Sequence, residues 1–199
     1  MSNEILVIVD MQNDFCPGGK LAVHGGHDIV PVINDLARQF RNVALTQDWH
    51  PADHLSFASQ HDGMVPFMTI TMPYGPQTLW PDHCVVGSRG AAIHSELNVP
   101  HAELIIRKGF RREIDSYSAF FENDHKTPTG LGGYLKERGF SKVTLVGLAF
   151  DYCVRYSAED AKMLGFDVTV VSRATRAIDL AGSALQTRKS FEERGIVLV

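Results

Sequence analysis

"VTLVGLAFDYCVRYSAEDAKMLGFDVTVVS", Val143–Ser172, decides the fold. Its two ends, "VTLVG" at 143–147 and "DVTVVS" at 167–172, are nearly continuous in apolar and β-branched residues. That is the pattern of strands covered on both faces. Between them Val154, Ala158, Ala161 and Leu164 recur at helical spacing, and Gly165 supplies a stop. Strand, helix and strand in so short a span imply a right-handed crossover between parallel neighbours.

The same grammar extends outward in both directions. "ILVIV" 5–9, "VALTQ" 43–47 and "ELIIR" 103–107 read as further strands, and "IVLV" 196–199 as a sixth. Ile29, Val32, Ile33, Leu36 and Phe40 mark a helix that tolerates Pro31 in its first turn. Leu131, Tyr134, Leu135 and Arg138 mark another before Gly139, and Ser183 with Gln186 forms a capping box for a helix running to Gly195. The expectation is a single α/β domain over residues 1–199. It has a six-stranded, mainly parallel sheet with helices on both faces, a three-layer Rossmann-like arrangement. Residues 55–102, rich in Pro, Gly and His and without a sustained period, read as one long loop, which is either functional or a wrong element assignment.

Composition narrows the function. With 199 residues, 44% hydrophobic and 21% charged, the chain can bury one substantial core. A net charge of −4 argues against a nucleic-acid or anionic-membrane partner. No apolar stretch approaches the roughly 18 residues of a membrane span, and "MSNEILVIVDMQNDF" lacks the features of a secretory signal. Three widely separated cysteines, Cys16, Cys84 and Cys153, suggest free thiols and a cytoplasmic location. Nothing here fixes the oligomeric state, and a homo-oligomer is compatible with it.

Open parallel sheets bind ligands at the carboxyl ends of their strands. After the first strand stands Asp10, after the second Asp48, after the third Lys108, and after the fourth, across "LAFDY", Cys153. Singly these have ordinary readings: a turn cap, a solvated strand end, a core thiol. Jointly they favour a site, because topology alone selects the four positions. Cys153 lies near a helix N-terminus, where the dipole and Lys108 should lower its pKa and a carboxylate can take its proton. Backbone N–H groups of Ala149 and Cys153 can form an oxyanion hole. This is the equipment of acyl transfer through a thioester. "QDWHPADH" adds Asp48-x-His50, with His54 four residues on, and "WPDHC" adds His83. Asp/His donors suit Zn²⁺, Fe²⁺ or Mn²⁺. Cys84, beside His83, reads as packing ahead of a soft metal ligand, and His61, His94, His101 and His125 as solvated loop residues. "NDFCPGGKLAV" does not give the G-x-G-x-x-G turn of a nucleotide binder.

These segments, in this order, resemble the bacterial nicotinamidase/pyrazinamidase branch of the isochorismatase-like cysteine hydrolases. "IVDMQNDFCPGGKLAV", "TQDWHPADHLSFASQH", "LWPDHC", "RKGF" and "VGLAFDYCVRYSAEDA" carry the resemblance, which spans essentially the whole chain. It implies an Asp10, Lys108 and Cys153 triad and metal ligation by Asp48, His50 and His83. His54 falls where some relatives ligate the metal and others only border it. Phe15, Trp80 and Tyr117 would line the substrate pocket, and Leu148–Ala149 matches the family's cis peptide. Relatives differ at Tyr152. The implied activity is hydrolysis of nicotinamide, and of pyrazinamide, to the acid and ammonia, feeding NAD salvage, with one divalent metal ion, Zn²⁺ ahead of Fe²⁺ or Mn²⁺. The alternatives are a related amidase for another small amide, or a non-catalytic metal- or ligand-binding homologue. The intact triad argues against the last.

Overall fold

A computed structural model describes residues 3–199, and in it each apolar run becomes a strand. In chain order the main elements are β1 (Glu4–Val9), α1 (Val30–Ala37), β2 (Val43–Asp48), β3 (Thr69–Met72), β4 (Gly75–Thr78) and β5 (Leu104–Lys108). Then come α2 (Leu131–Glu137), β6 (Lys142–Leu148), α3 (Arg155–Met163), β7 (Asp167–Arg176), α4 (Ser183–Arg194) and β8 (Val197–Leu198). Six strands form one sheet in the order β5-β2-β1-β6-β7-β8, every neighbouring pair parallel.

Side-chain alternation along β1 divides the core in two. Leu6 and Ile8 meet Ile29, Ile33 and Leu36 on one face of the sheet. Ile5, Val7 and Val9 meet Leu131 and Leu135 of α2, Ala158 and Ala161 of α3, and Phe191 of α4 on the other. Residues 5–9 are each at most 1% exposed, and burying one such side chain contributes about 1.5–3 kcal/mol. The central strand therefore anchors both layers, as its unbroken apolar run requires. Among the described residues no helix is long and apolar enough to cross a membrane.

Two expectations need correction. The capping box at Ser183 does not form. The Ser183 hydroxyl donates to buried Asp151 Oδ2 at 2.5 Å, and the first-turn N–H of Ala184 is taken by Asp179 Oδ1 instead. The long loop also contains structure, because β3 and β4 pair as an antiparallel hairpin. Most hairpin side chains are exposed or half-buried, so no apolar period marks it in the sequence. Around it, short bridges tie His50 to Val85 and Phe57 to Trp80, folding the segment over the end of the sheet.

Candidate active site

β1 lies between β2 and β6, so the chain departs from it on both sides and leaves a crevice at the carboxyl ends of the strands. Register then sets neighbours, with Val9 opposite Gly147 and Asp48 opposite Lys108. Past β1, Asp10 turns inward in the left-handed region at φ 47°. Its N–H donates to Thr46 Oγ1 at 3.1 Å, and the same hydroxyl donates back to Asp10 Oδ1 at 2.5 Å. Lys108 is fully buried, and its ammonium donates to Asp48 Oδ1 at 2.5 Å, to the Ser116 carbonyl at 2.8 Å and to Cys153 Sγ at 3.5 Å. It also lies 2.9 Å from Asp10 Oδ2, though not in hydrogen-bond alignment, so that oxygen keeps an unused acceptor position. The reactive atoms of Asp10, Asp48 and Cys153 all lie within 4.8 Å of one another.

This setting drives the two carboxylates apart. Burial raises the pKa of Asp10, and Lys108 only partly offsets it. Burial also opposes ionisation of Asp48, but Lys108 and His50 outweigh it and hold that carboxylate well below its ordinary range. One acid is thus tuned to carry a proton and the other to stay anionic. Lys108 resists deprotonation despite burial, because Asp10 and Asp48 hold its charge. The expected depression of the Cys153 pKa is not found. Burial, aided by the nearby Asp10 and Asp48, raises it well above the ordinary value against the pull of Lys108. The resting nucleophile is a thiol, and its attack requires a base.

The turn carrying that thiol has a defined architecture. The Leu148–Ala149 peptide is cis, as the resemblance implied. Residues 150–154 then make one wide helical turn, with the Val154 N–H reaching the Ala149 carbonyl five residues back. Asp151 ties this turn to the chain after β7, accepting from the Ile178 and Asp179 N–H groups and the Ser183 hydroxyl. The Ala149 N–H has no acceptor among the described residues, and Ala149 borders the same cavity as Cys153. It is free to donate to a developing oxyanion.

Beside the thiol, three side chains converge as metal donors. His50 Nδ1 is 2.8 Å from the Gly109 carbonyl and His83 Nδ1 is 2.8 Å from the Pro81 carbonyl. Each Nδ1 therefore carries the proton, and each Nε2 offers its lone pair. The two Nε2 atoms lie 3.6 and 3.8 Å from Asp48 Oδ2. The donor set fits a divalent transition metal. His54 is differently disposed. Its Nδ1 accepts the Ser56 N–H at 3.1 Å and its Nε2 faces the Ile114 carbonyl at 3.2 Å, which leaves no lone pair for an ion. His54 borders the cluster, its ring 4.5 Å from that of His50. Burial and the neighbouring His50 lower its pKa to about 4, so it is neutral.

Asp48, His83, Ala149 and Cys153 open onto a common cavity. The aromatic walls expected from the sequence, Phe15, Trp80 and Tyr117, line it. Leu21, Asp115, Tyr152 and Ile178 also line it and had not been singled out as pocket walls, although Asp115 opens the same "DSYSAF" segment as Tyr117. Sequence reasoning also missed the supports. Gln12 clamps both backbone groups of Asp48, its Oε1 accepting the N–H at 2.8 Å and its Nε2 donating to the carbonyl at 2.9 Å. Asp14 accepts the Cys84 N–H at 2.7 Å beside His83. Cys84 itself is buried in the core, as expected. His61 and His101 are not simply solvated, since each ring hydrogen-bonds a backbone carbonyl.

The isochorismatase domain family matches residues 4–196. A nicotinamidase of Acinetobacter baylyi is 55% identical over 182 residues, covering 92% of this chain and 85% of that protein. The solved nicotinamidase/pyrazinamidase of Acinetobacter baumanii superposes with a TM-score of 0.99 at 53% identity, covering 100% of this chain and 96% of the other. The pyrazinamidase of Pyrococcus horikoshii, solved in complex with zinc, superposes with a TM-score of 0.82 at 31% identity, covering 100% and 99%. The chain belongs to the isochorismatase family.

Proposed function

We propose that the chain is an amidohydrolase that converts nicotinamide, and pyrazinamide beside it, to the acid and ammonia through a thioester on Cys153. The observation that carries this reading is the single buried ammonium of Lys108, which holds the thiol, Asp10 and the metal-donor Asp48 together. In this reading a pyridine carboxamide sits between Phe15 and Trp80, both of which line the cavity, with its ring nitrogen towards Asp48 and His83 and its amide carbon at Cys153. Such positioning replaces encounter with a near-attack arrangement. Asp48, His50 and His83 would hold one divalent ion, zinc, which would supply a Lewis-acid point for the ring nitrogen.

Asp10 Oδ2 accepts the thiol proton as sulfur attacks the amide carbon. N–H groups of Ala149 and Cys153 stabilise the oxyanion, each donor typically worth about 3 kcal/mol. Asp10 then passes the proton to the departing nitrogen, the C–N bond breaks, and ammonia leaves. Asp10 next takes a proton from water as it attacks the thioester, which returns the thiol and releases the acid towards NAD synthesis. The test is ammonia release from nicotinamide by the wild type and by Cys153→Ala. The wild type alone should turn over, with the variant's fold and metal content unchanged. Substantial turnover by the variant overturns the thioester scheme, and none by a metal-loaded wild type overturns the substrate.

A further inference from the structure

The catalytic cavity has a neighbour. A second, larger and more open cavity lies outside it, lined in part by Thr78, Arg155, Tyr156, Ser183 and Gln186. Tyr117 and Tyr152 line both cavities, so these two rings form the wall between them. They are not held alike. The Tyr117 hydroxyl accepts from Gln77 Nε2 at 2.9 Å, and its backbone N–H donates to Asn123 Oδ1 at 2.9 Å. Gln77 is fully buried and also donates to Asp115 Oδ2, which locks that half of the wall. Tyr152, half-buried like Tyr117, donates its N–H to the Ala149 carbonyl at 3.1 Å and has its hydroxyl beside Thr78, but among the described residues no buried amide clamps it. Its ring rests edge-on against Trp80 at 4.9 Å and Tyr117 at 5.5 Å. Its body is the removable part of the partition.

We propose that Tyr152 is the specificity-determining residue that limits substitution on the substrate's ring, and that the outer cavity is a latent subsite for a ring substituent. This rests on the nicotinamide reading above. The proton that releases the leaving nitrogen comes from Asp10, which is completely buried and borders neither cavity. The amide nitrogen must therefore point inward, where a substituent on it has no space. The ring nitrogen faces Asp48 and His83, and the carbon bearing the amide faces Cys153. In a pyridine-3-carboxamide these are two of three alternating ring corners. The third, C5, is tied to neither, and we assign it to the tyrosine wall, beyond which the outer cavity lies. A group on C5 meets Tyr152 and, with that ring removed, enters the outer cavity.

The experiment compares kcat/KM for nicotinamide, 5-phenylnicotinamide and N-methylnicotinamide in the wild type, Tyr152→Ala, Tyr152→Leu and Tyr152→Phe. The ratio of 5-phenylnicotinamide to nicotinamide should rise at least tenfold in the Ala and Leu variants and stay at the wild-type value in Phe. N-Methylnicotinamide should remain a non-substrate throughout. An unchanged or lower ratio in both small variants overturns the proposal, and so does loss of all turnover in both, which would place Tyr152 in the chemistry. A gain for N-methylnicotinamide instead would show that the amide nitrogen, not the ring, faces the outer cavity. Failure of the wild type on nicotinamide strikes the function itself and is read separately.

Discussion

Lys108 joins the two halves of the site, because its ammonium contacts both the proton carrier Asp10 and the metal-donor Asp48. The halves nevertheless separate by mutation. Asp10→Asn removes the base while leaving Asp48, His50 and His83 in place. It should lower kcat/KM by about 10²–10⁴, the usual contribution of a positioned base, with metal content intact. His50→Ala should do the reverse, losing bound metal and raising KM for nicotinamide before it affects chemistry. Metal analysis beside steady-state kinetics distinguishes them, and a metal-free Asp10→Asn protein would show that the halves are one unit. The raised pKa of Cys153 was not legible in the sequence. A thiol at a helix N-terminus beside a lysine suggests a stabilised thiolate, and burial beside two carboxylates reverses that expectation.

At the scale of elements, the strands were legible because both their faces are covered and their apolar runs are unbroken. The hairpin β3–β4 was not, since it sits at the surface with little buried on either face. Nor were the devices that hold strands close. Gly147 lies at φ 110° in β6, where a Cβ would stand 2.1 Å from the Val9 carbonyl oxygen. Gly147→Ala should therefore destabilise the protein by about 3 kcal/mol, combining overpacking with backbone strain. Urea unfolding measures this, and a change below about 1 kcal/mol would mean that β1 and β6 can separate at little cost. Gly109, at φ 66°, meets the His50 ring in the same way, a Cβ falling 2.5 Å from its Cε1. Gly109→Ala displaces a metal donor without altering a ligand. It should weaken metal binding about tenfold in a chelator competition, within the range for supports of a ligating histidine. An unchanged affinity would show that His50 is positioned from elsewhere.

For the whole molecule, strand order was the deciding inference, because it brings Asp10, Asp48, Lys108 and Cys153 from four strand ends to one crevice. The ring of supports, such as Gln12 on Asp48, stayed hidden because a buried amide carries no sequence period. That crevice also couples metal to stability. An ion bound only by the folded chain stabilises it by about 2.7 kcal/mol at a free concentration one hundred times its dissociation constant. In a domain of this size that raises Tm by about 5–10 °C. The gain should depend on pH. Asp48 overrides burial and raises the pKa of His50 above its ordinary 6.5 in the metal-free chain. The raised value stabilises that chain fully below 6.5, and this contribution is lost as pH climbs through the folded value. Metal needs the same nitrogen unprotonated, so its affinity moves the opposite way and weakens as pH falls. The gain from metal follows its affinity for the folded chain, so the gap between metal-loaded and chelated protein widens on the alkaline side. Thermal unfolding with zinc and with chelator should therefore show a larger zinc-dependent gain in Tm at pH 8 than at pH 6. An equal gain at both would mean that no proton competes with metal at His50, and the tuning assigned to Asp48 would be wrong.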